Sequence, residues 1–229
     1  MSKVKIVPSN IEFLKQLKKN NNRDWFAIHK DQYLHELSNI EAFADALLFE
    51  MNKHDVIETA SGKKSLHRIY RDTRFSKDKT PYKINWSGSL SRATKKRRGG
   101  YYFHIEPGNS FVGGGFWGPE PKDVKRIRDE FAYDAAPFRK IIKSKSFVNT
   151  FGTLLGEQLK TTPKGYAADD AAIDLIRYKQ YIVRRKFTDK EVLSDSFLKQ
   201  VNETFKNMRP FFDYMSEVLT TDVNGISIV

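Results

Sequence analysis

The chain has 229 residues, of which 40 are Lys or Arg and 28 are Asp or Glu, so its formal net charge is +12. Its 39% hydrophobic content, including 13% aromatic residues, excludes a disordered polyelectrolyte, and a mean hydropathy of −0.59 without a long apolar run excludes a transmembrane span. The absence of cysteine excludes disulfides, thiolate catalysis and cysteine-ligated zinc. We therefore expect a soluble globular protein with one large core and no association with membranes. Residues 1–10 contain no apolar segment of the secretory kind, so we expect a cytoplasmic location.

The N-terminal part of the chain has the periodicity of amphipathic helices. Ser9 followed by Glu12 matches the capping-box pattern that begins a helix, and this short helix is predicted to end at residues 20–22. From about residue 24 to residue 54, apolar side chains recur at spacings of three and four, which predicts one long helix. Residues 9–54 are therefore predicted to be helical.

The hydrophobic pattern changes to a period of two in the next part of the chain. Alternating apolar and polar residues predict strands, and the short connections between them favour antiparallel pairing. We therefore predict an antiparallel β-meander of about four to five strands, four of which lie within residues 64–118. The candidate strands are 66–75, 84–90, 101–106 and 110–117.

Three consecutive glycines at 113–115 interrupt the last of these strands. No Gly-Lys-Ser or Gly-Lys-Thr follows them, so a phosphate-binding loop is not indicated. A glycine run inside a strand is typical of a bulge or of a close approach between backbones. We predict one of these two at residues 113–115.

Helices are predicted again over residues 120–219. One exception is 180–187, which is predicted as an additional strand. The last helix is predicted from about Asp195, with a kink caused by Pro210. No internal repeat and no low-complexity linker divides the chain. The expected fold is therefore a single α+β domain spanning residues 1–229, with the sheet packed against the N-terminal and C-terminal helices.

The positive charge is concentrated in one segment. Residues 63–98 contain thirteen basic and two acidic residues, a local excess of +11, so the other 193 positions account for only +1. A concentrated excess can form a patch whose potential attracts anions. The alternative is that these side chains are solvated and protect sheet edges from aggregation.

Within this segment the arginines suggest an anion site. If 66–75 is a strand, Arg68, Tyr70, Asp72 and Arg74 share one face, and Asp72 can hold an arginine fork in position for a phosphate or carboxylate. The alternative is that Arg68, Asp72 and Arg74 form a salt-bridge ladder. The candidate anion-binding residues are Arg68, Arg71, Arg74, Ser76, Lys77, Lys79, Tyr82 and Lys83.

Candidates for proton transfer lie on another predicted strand. His104 and Glu106 are expected to project from the same face together with Tyr102, where they can act as base and orienter or supply two metal ligands. Asp72 is a third proton-transfer candidate. No third ligand converges on the pair, so we assign no metal site. The phosphate-loop, dinucleotide and nucleophile-elbow motifs are absent from the sequence, so no cofactor is assigned.

Five segments of the chain stand out as motifs. They are Asn22-Arg23-Asp24-Trp25-Phe26, the long segment 70–83 that begins Tyr70-Arg71-Asp72-Thr73-Arg74-Phe75, the segment 100–108, Val112-Gly113-Gly114-Gly115 and Pro163-Lys164-Gly165-Tyr166. These motifs resemble those of an uncharacterised family, domain of unknown function 2461. The similarity extends from about residue 11 to residue 219 and implies a single-domain α+β cytosolic protein, without an assigned reaction, cofactor or catalytic residue.

Three hypotheses about function follow. The first, which the charge concentration favours, is a module that binds a phosphate-bearing partner such as nucleic acid, with Tyr70, Tyr82 or Trp86 available for stacking. The second is an enzyme that acts on a small phosphorylated or carboxylated substrate held by the arginines. The third is a scaffold that binds an acidic protein through the same basic patch, which a charge reversal of the run at 95–98 would test.

Overall fold

The computed structural model describes residues 4–222 and 224–229. Residues 1–3, which belong to the segment 1–10 examined above for a secretory signal, lie outside the described residues. Its described part contains ten helices and four strands. The elements are α1 Pro8–Lys19, α2 Arg23–Ile28, α3 Lys30–Met51, α4 Gly62–Ser65, β1 Trp86–Ser91, β2 Gly100–Ile105, β3 Ser110–Phe116, α5 Pro121–Asp134, α6 Ala136–Ile142, α7 Lys145–Phe151, α8 Ile173–Ile176, β4 Tyr181–Phe187, α9 Asp189–Val192 and α10 Phe197–Thr220.

The four strands form one antiparallel sheet in the order β1-β2-β3-β4. This arrangement confirms the predicted α+β class, and β4 confirms the additional strand predicted at 180–187. In the described part of the chain, no helix combines the length and the apolar character needed to cross a membrane.

The strand predicted at 66–75 is wrong. Only two isolated bridges form there, Leu66 with Gly88 and Tyr70 with Tyr82. A half-buried strand needs an apolar row on its inner face, but in this segment Ile69 is buried whereas Phe75 is 96% exposed. The alternation in the sequence came mainly from charged side chains, which an irregular loop can expose to solvent as well as a strand can.

The N-terminal helices also differ in detail from the prediction. The single helix expected from residue 24 to 54 is divided into α2 and α3 at His29, whose ring stacks on Trp25 with centroids 3.9 Å apart. The predicted capping box is wrong as well. Ser9 lies inside α1 and donates to Glu36, while Asn10 Oδ1 accepts a hydrogen bond from the backbone of Val7 at 3.0 Å.

Contacts group the chain into two compact units. The first comprises Met1–Leu90, Tyr102–Val112 and Lys186–Glu203, and the second comprises Ser91–Tyr101, Gly113–Arg185 and Thr204–Val229. Phe43 is fully buried in the first unit and packs against Phe103 and Phe197 at centroid distances of 6.0 and 5.5 Å. In the second unit the buried ring of Tyr101 contacts Phe205 at 5.0 Å.

A buried polar cluster holds the elements of the first unit in register. The Asn10 side chain donates to the Glu36 carboxylate at 2.6 Å, and the Asn10 carbonyl accepts from the Trp86 indole at 3.1 Å. Both Asn10 and Glu36 are almost fully buried. Because buried polar groups without partners are costly, these bonds specify how α1, α3 and the start of β1 meet.

The glycines at 113–115 confirm the predicted close approach between backbones. A Cβ atom at Gly113 would lie 2.9 Å from the Val183 carbonyl oxygen, and one at Gly115 would lie 2.2 Å from that of Tyr181. Gly115 also has a φ of +143°, a conformation that side-chain-bearing residues rarely adopt. Only glycine therefore permits β3 and β4 to pair here.

We expect Gly115→Ala to lower the free energy of unfolding by about 2–4 kcal/mol, because the new methyl group meets backbone that cannot move aside. Gly118→Ala is the matched control: its φ is also positive, but no atom lies within 4 Å of the added Cβ, so a loss of about 1 kcal/mol is expected. Urea denaturation measures both variants. Equal losses would contradict the close approach.

Candidate functional site

The arginines of the basic segment differ in how far they are neutralised. Residues 63–83 lie in the first unit and residues 92–98 in the second. Four arginines have carboxylate partners. The pairs are Arg71 with Asp78, Arg74 with Asp72, Arg92 with Asp213 and Arg98 with Asp123.

Two of these pairs contradict the expectation that the surplus cations gather on one exterior face. The Arg92 side chain is only 1% exposed and binds Asp213 of α10, while Arg98 binds Asp123 of α5. The charges of both guanidinium groups are thus neutralised by carboxylates that the helices carry. The physical reason is that an arginine at the edge of a core is retained only when a carboxylate compensates its lost hydration.

The remaining cations of residues 63–83 have no carboxylate partner within the described residues. Lys79 donates to the carbonyl of Thr73 at 2.9 Å, and Lys83 is half-buried. The other side chains of this set are exposed. The set is Lys63, Lys64, Arg68, Lys77, Lys79 and Lys83.

An irregular hairpin brings Arg71 and Lys83 together. The backbone N–H of Arg71 donates to Pro81 O at 2.9 Å, and that of Lys83 donates to Ile69 O at 2.7 Å. The Asn21 side chain completes the turn, because it donates to Tyr82 O at 2.9 Å and accepts from Tyr82 N at 3.1 Å.

Arg71 and Lys83 separate two adjacent clefts of the first unit. We call the first, of about 430 Å³, the His67 cleft. Its lining residues are His67, Arg71, Asp72, Lys83, Asn85, Ser87 and Tyr102. The second cleft, of about 360 Å³, is lined by Lys18, Asn21, Arg71, Asp78, Thr80, Tyr82, Lys83, Ile84 and Asn85.

The structure thus brings only part of the predicted anion site together. Arg71 and Lys83 line both clefts, and Tyr82 lines the second. Lys79 lines a different cleft with residues 21–23. Five predicted residues are therefore absent from the described lining of the two clefts. They are Arg68, Arg74, Ser76, Lys77 and Lys79.

The aromatic residues predicted for stacking are mostly unavailable. Tyr82 is buried and stacks on Phe26 at 4.1 Å, and Trp86 is buried with its indole N–H bonded to Asn10. Those two stacking assignments are wrong. Tyr70 is exposed and can still present a ring to a ligand.

Charge and burial set the protonation of the groups in the cleft. Burial, with the neighbouring charge of Lys83, lowers the pKa of His67, so its imidazole is neutral at pH 7. Burial also lowers the pKa of Lys83, with a contribution from Arg68. The side-chain bond from Arg74 lowers the pKa of Asp72, which makes this exposed carboxylate a poor proton acceptor.

The predicted proton-transfer pair is hydrogen-bonded. His104 Nε2 lies 2.9 Å from Glu106 Oε2, and His104 Nδ1 lies 2.9 Å from the Tyr102 hydroxyl. Asn109 donates to the same Glu106 oxygen at 3.0 Å, and the His104 ring stacks on Phe111 at 4.8 Å. Since Tyr102 lines the His67 cleft, this row of side chains ends at the cleft that holds Arg71 and Lys83.

Sequence reasoning missed three residues of the cleft: His67, Asn85 and Ser87. His67 Nε2 lies 3.0 Å from the Ser89 hydroxyl and its Nδ1 lies 3.4 Å from that of Ser87. The signal was present in the alternation of Asn85, Ser87 and Ser89 along the predicted strand, whose polar face forms a wall of the cleft.

We expect Asp213→Asn to lower the free energy of unfolding by about 2 kcal/mol, because it leaves the buried Arg92 charge without its carboxylate. The matched control, Asp72→Asn, removes a carboxylate from an exposed pair and should change stability little. Urea denaturation at neutral pH measures both. A similar loss in the two variants would contradict the assignment of Arg92 to a structural role.

Comparison with known families gives one result. The model of a family described as conserved hypothetical protein (DUF2461) matches residues 9–214, which is most of the chain and includes every residue that lines the two clefts. No curated protein and no solved structure matches the chain. The chain belongs to the DUF2461 family of conserved hypothetical proteins.

Proposed function

We propose that this protein binds a small phosphorylated or carboxylated compound in the His67 cleft. The observation that carries the proposal is that Arg71 and Lys83 both line this cleft. Lys83 has no carboxylate partner among the described residues, and its pKa is lowered by burial. A partly desolvated ammonium group and a guanidinium group that line one cleft favour an anion between them.

Arg71 is prepared for bidentate binding. Its Nη1 atom bonds to Asp78 at 2.5 Å and also to the hydroxyl and carbonyl oxygens of Thr80. No described residue bonds to its Nε or Nη2 atoms. That edge of the fork can therefore donate two parallel hydrogen bonds to a phosphate or carboxylate, while Asp78 and Thr80 hold the side chain still.

Neutral polar groups complete the cleft. The Asn85 amide and the Ser87 hydroxyl can donate to the uncharged part of a ligand, and the Tyr102 oxygen can accept from it. A volume of about 430 Å³ is in the range of small-molecule sites, which favours a small compound over a polymer.

Nucleic-acid binding is the second candidate. The loop after Arg71 carries Lys77 and Lys79, and its Phe75 ring is 96% exposed with Arg74 5.9 Å from the ring centroid. Exposed aromatic and basic side chains on one loop suit stacking on bases and contact with phosphates. The scaffold hypothesis has less support, since Arg98 of its basic run is paired with Asp123.

We expect Lys83→Ala to weaken sulfate or inorganic phosphate binding by about tenfold or more, because a charge-assisted hydrogen bond is lost. Lys77→Ala removes the same charge outside the cleft and should change affinity less than twofold at about 0.15 M salt. Titration calorimetry measures both. If the protein instead binds an oligonucleotide along the loop, both variants should lose affinity for the oligonucleotide by similar factors. Unchanged binding of the small anion in Lys83→Ala would contradict the proposal.

Sulfate affinity should rise as the pH falls from about 8 to about 5, because His67 gains a positive charge beside the bound anion only below its lowered pKa. Sulfate keeps its own charge over this range. His67→Gln should bind sulfate with little pH dependence. Calorimetry of both proteins at several pH values checks this, and a pH dependence that survives in His67→Gln would assign it to another group.

A further inference from the structure

Tyr102, His104 and Glu106 form a continuous hydrogen-bonded row at the end of β2. Because alternate residues of a strand point to the same side, the sequence spacing of two places all three on one face. The row runs from the Tyr102 hydroxyl through both ring nitrogens of His104 to Glu106.

The acceptors in the row fix where the protons are. A carboxylate only accepts hydrogen bonds, so the Glu106 carboxylate accepts one from the N–H at His104 Nε2 and another from the Asn109 amide. His104 Nδ1 then carries a lone pair, and the Tyr102 hydroxyl must donate to it. The order is the one that activates a hydroxyl nucleophile: a hydroxyl, a base and a carboxylate that orients the base.

The base is sheltered, whereas the tyrosine borders the cleft. The side chains of His104 and Glu106 are 12% and 18% exposed, and Phe111 covers the imidazole face. Tyr102 lines the His67 cleft. Burial raises the pKa of Tyr102, so its phenol is protonated at neutral pH and needs a base in order to react.

We infer that Tyr102 is a nucleophile of the His67 cleft and that it attacks the phosphorus of a small phosphoester. His104 acts as its base, and Glu106 orients His104. The inference rests on the proposed function, because Arg71 and Lys83 would hold the anionic oxygens. In the step, a bond forms between Tyr102 Oη and phosphorus and the bond from phosphorus to the leaving alkoxide oxygen breaks. The phenolic proton moves to His104 Nδ1, and the alkoxide takes a proton from water.

The test uses a benzoate that carries a sulfonyl fluoride, which is an anionic electrophile with a tetrahedral centre. Its reaction with Tyr102 forms an O–S bond and releases fluoride, and the phenolic proton passes to His104. Mass spectrometry follows each tyrosine. We expect Tyr102 to be labelled at least about tenfold faster than Tyr133, which is 89% exposed and serves as the internal reference.

Variants identify the base. His104→Gln should reduce Tyr102 labelling to the rate of Tyr133, and Glu106→Gln should reduce it in part, with Tyr133 unchanged in both as a control of fold and reagent. If His104→Gln does not fold, Glu106→Gln decides instead: its Tyr102 rate should fall relative to the Tyr133 rate measured in the same protein, and an unchanged ratio of the two rates would overturn the inference. A Tyr102 rate no higher than that of Tyr133 in the wild type would overturn the inference.

Two further labelling measurements distinguish failure of this inference from failure of the anion site on which it rests. Inorganic phosphate should protect Tyr102 but not Tyr133, and the neutral reagent benzenesulfonyl fluoride should label Tyr102 more slowly than the benzoate does. Fast labelling by both reagents, with no protection by phosphate, would overturn the anion site and the phosphoester as target while leaving the activation by His104 standing. Protection without fast labelling would support the anion site and overturn the nucleophile.

Discussion

Two backbone hydrogen bonds, from Lys83 N to Ile69 O and from Arg71 N to Pro81 O, create the candidate site. They fold the basic segment back on itself, although it forms no strand. Ile69 is 3% exposed and anchors the turn in the apolar core, so the two cations beside it are held at the surface near each other. Without this pairing, Arg71 and Lys83 would be two distant residues of a loop, and their mutual repulsion would separate them.

The sequence predicted the fold class because hydrophobic periodicity reports burial directly. It failed for residues 66–75 because charged side chains alternate there without an apolar face, and for the junction of α2 and α3 because a helix break at His29 leaves the periodicity nearly intact. The glycines at 113–115 were interpretable because few arrangements other than close backbone contact need three of them in a strand.

The candidate site was predictable only where chemistry follows local spacing. His104 and Glu106 lie two residues apart on one strand, so their shared face followed from the alternation of side chains. The convergence of His67 and Ser87 with Arg71 depends on long-range packing that no spacing shows. Net charge misled for a related reason: it counts Arg92 and Lys83 equally, although one is neutralised inside the protein and the other is not.

The double hydrogen bond between the Asn21 amide and the backbone of Tyr82 has an effect beyond the clefts. An amide side chain offers one donor and one acceptor in the arrangement that a neighbouring strand would offer, so it occupies both backbone groups of Tyr82. A second copy of the chain cannot pair with the segment at this point. Asn21 therefore blocks edge-to-edge pairing at Tyr82, where the irregular and partly extended backbone would otherwise leave both groups free to pair with another strand.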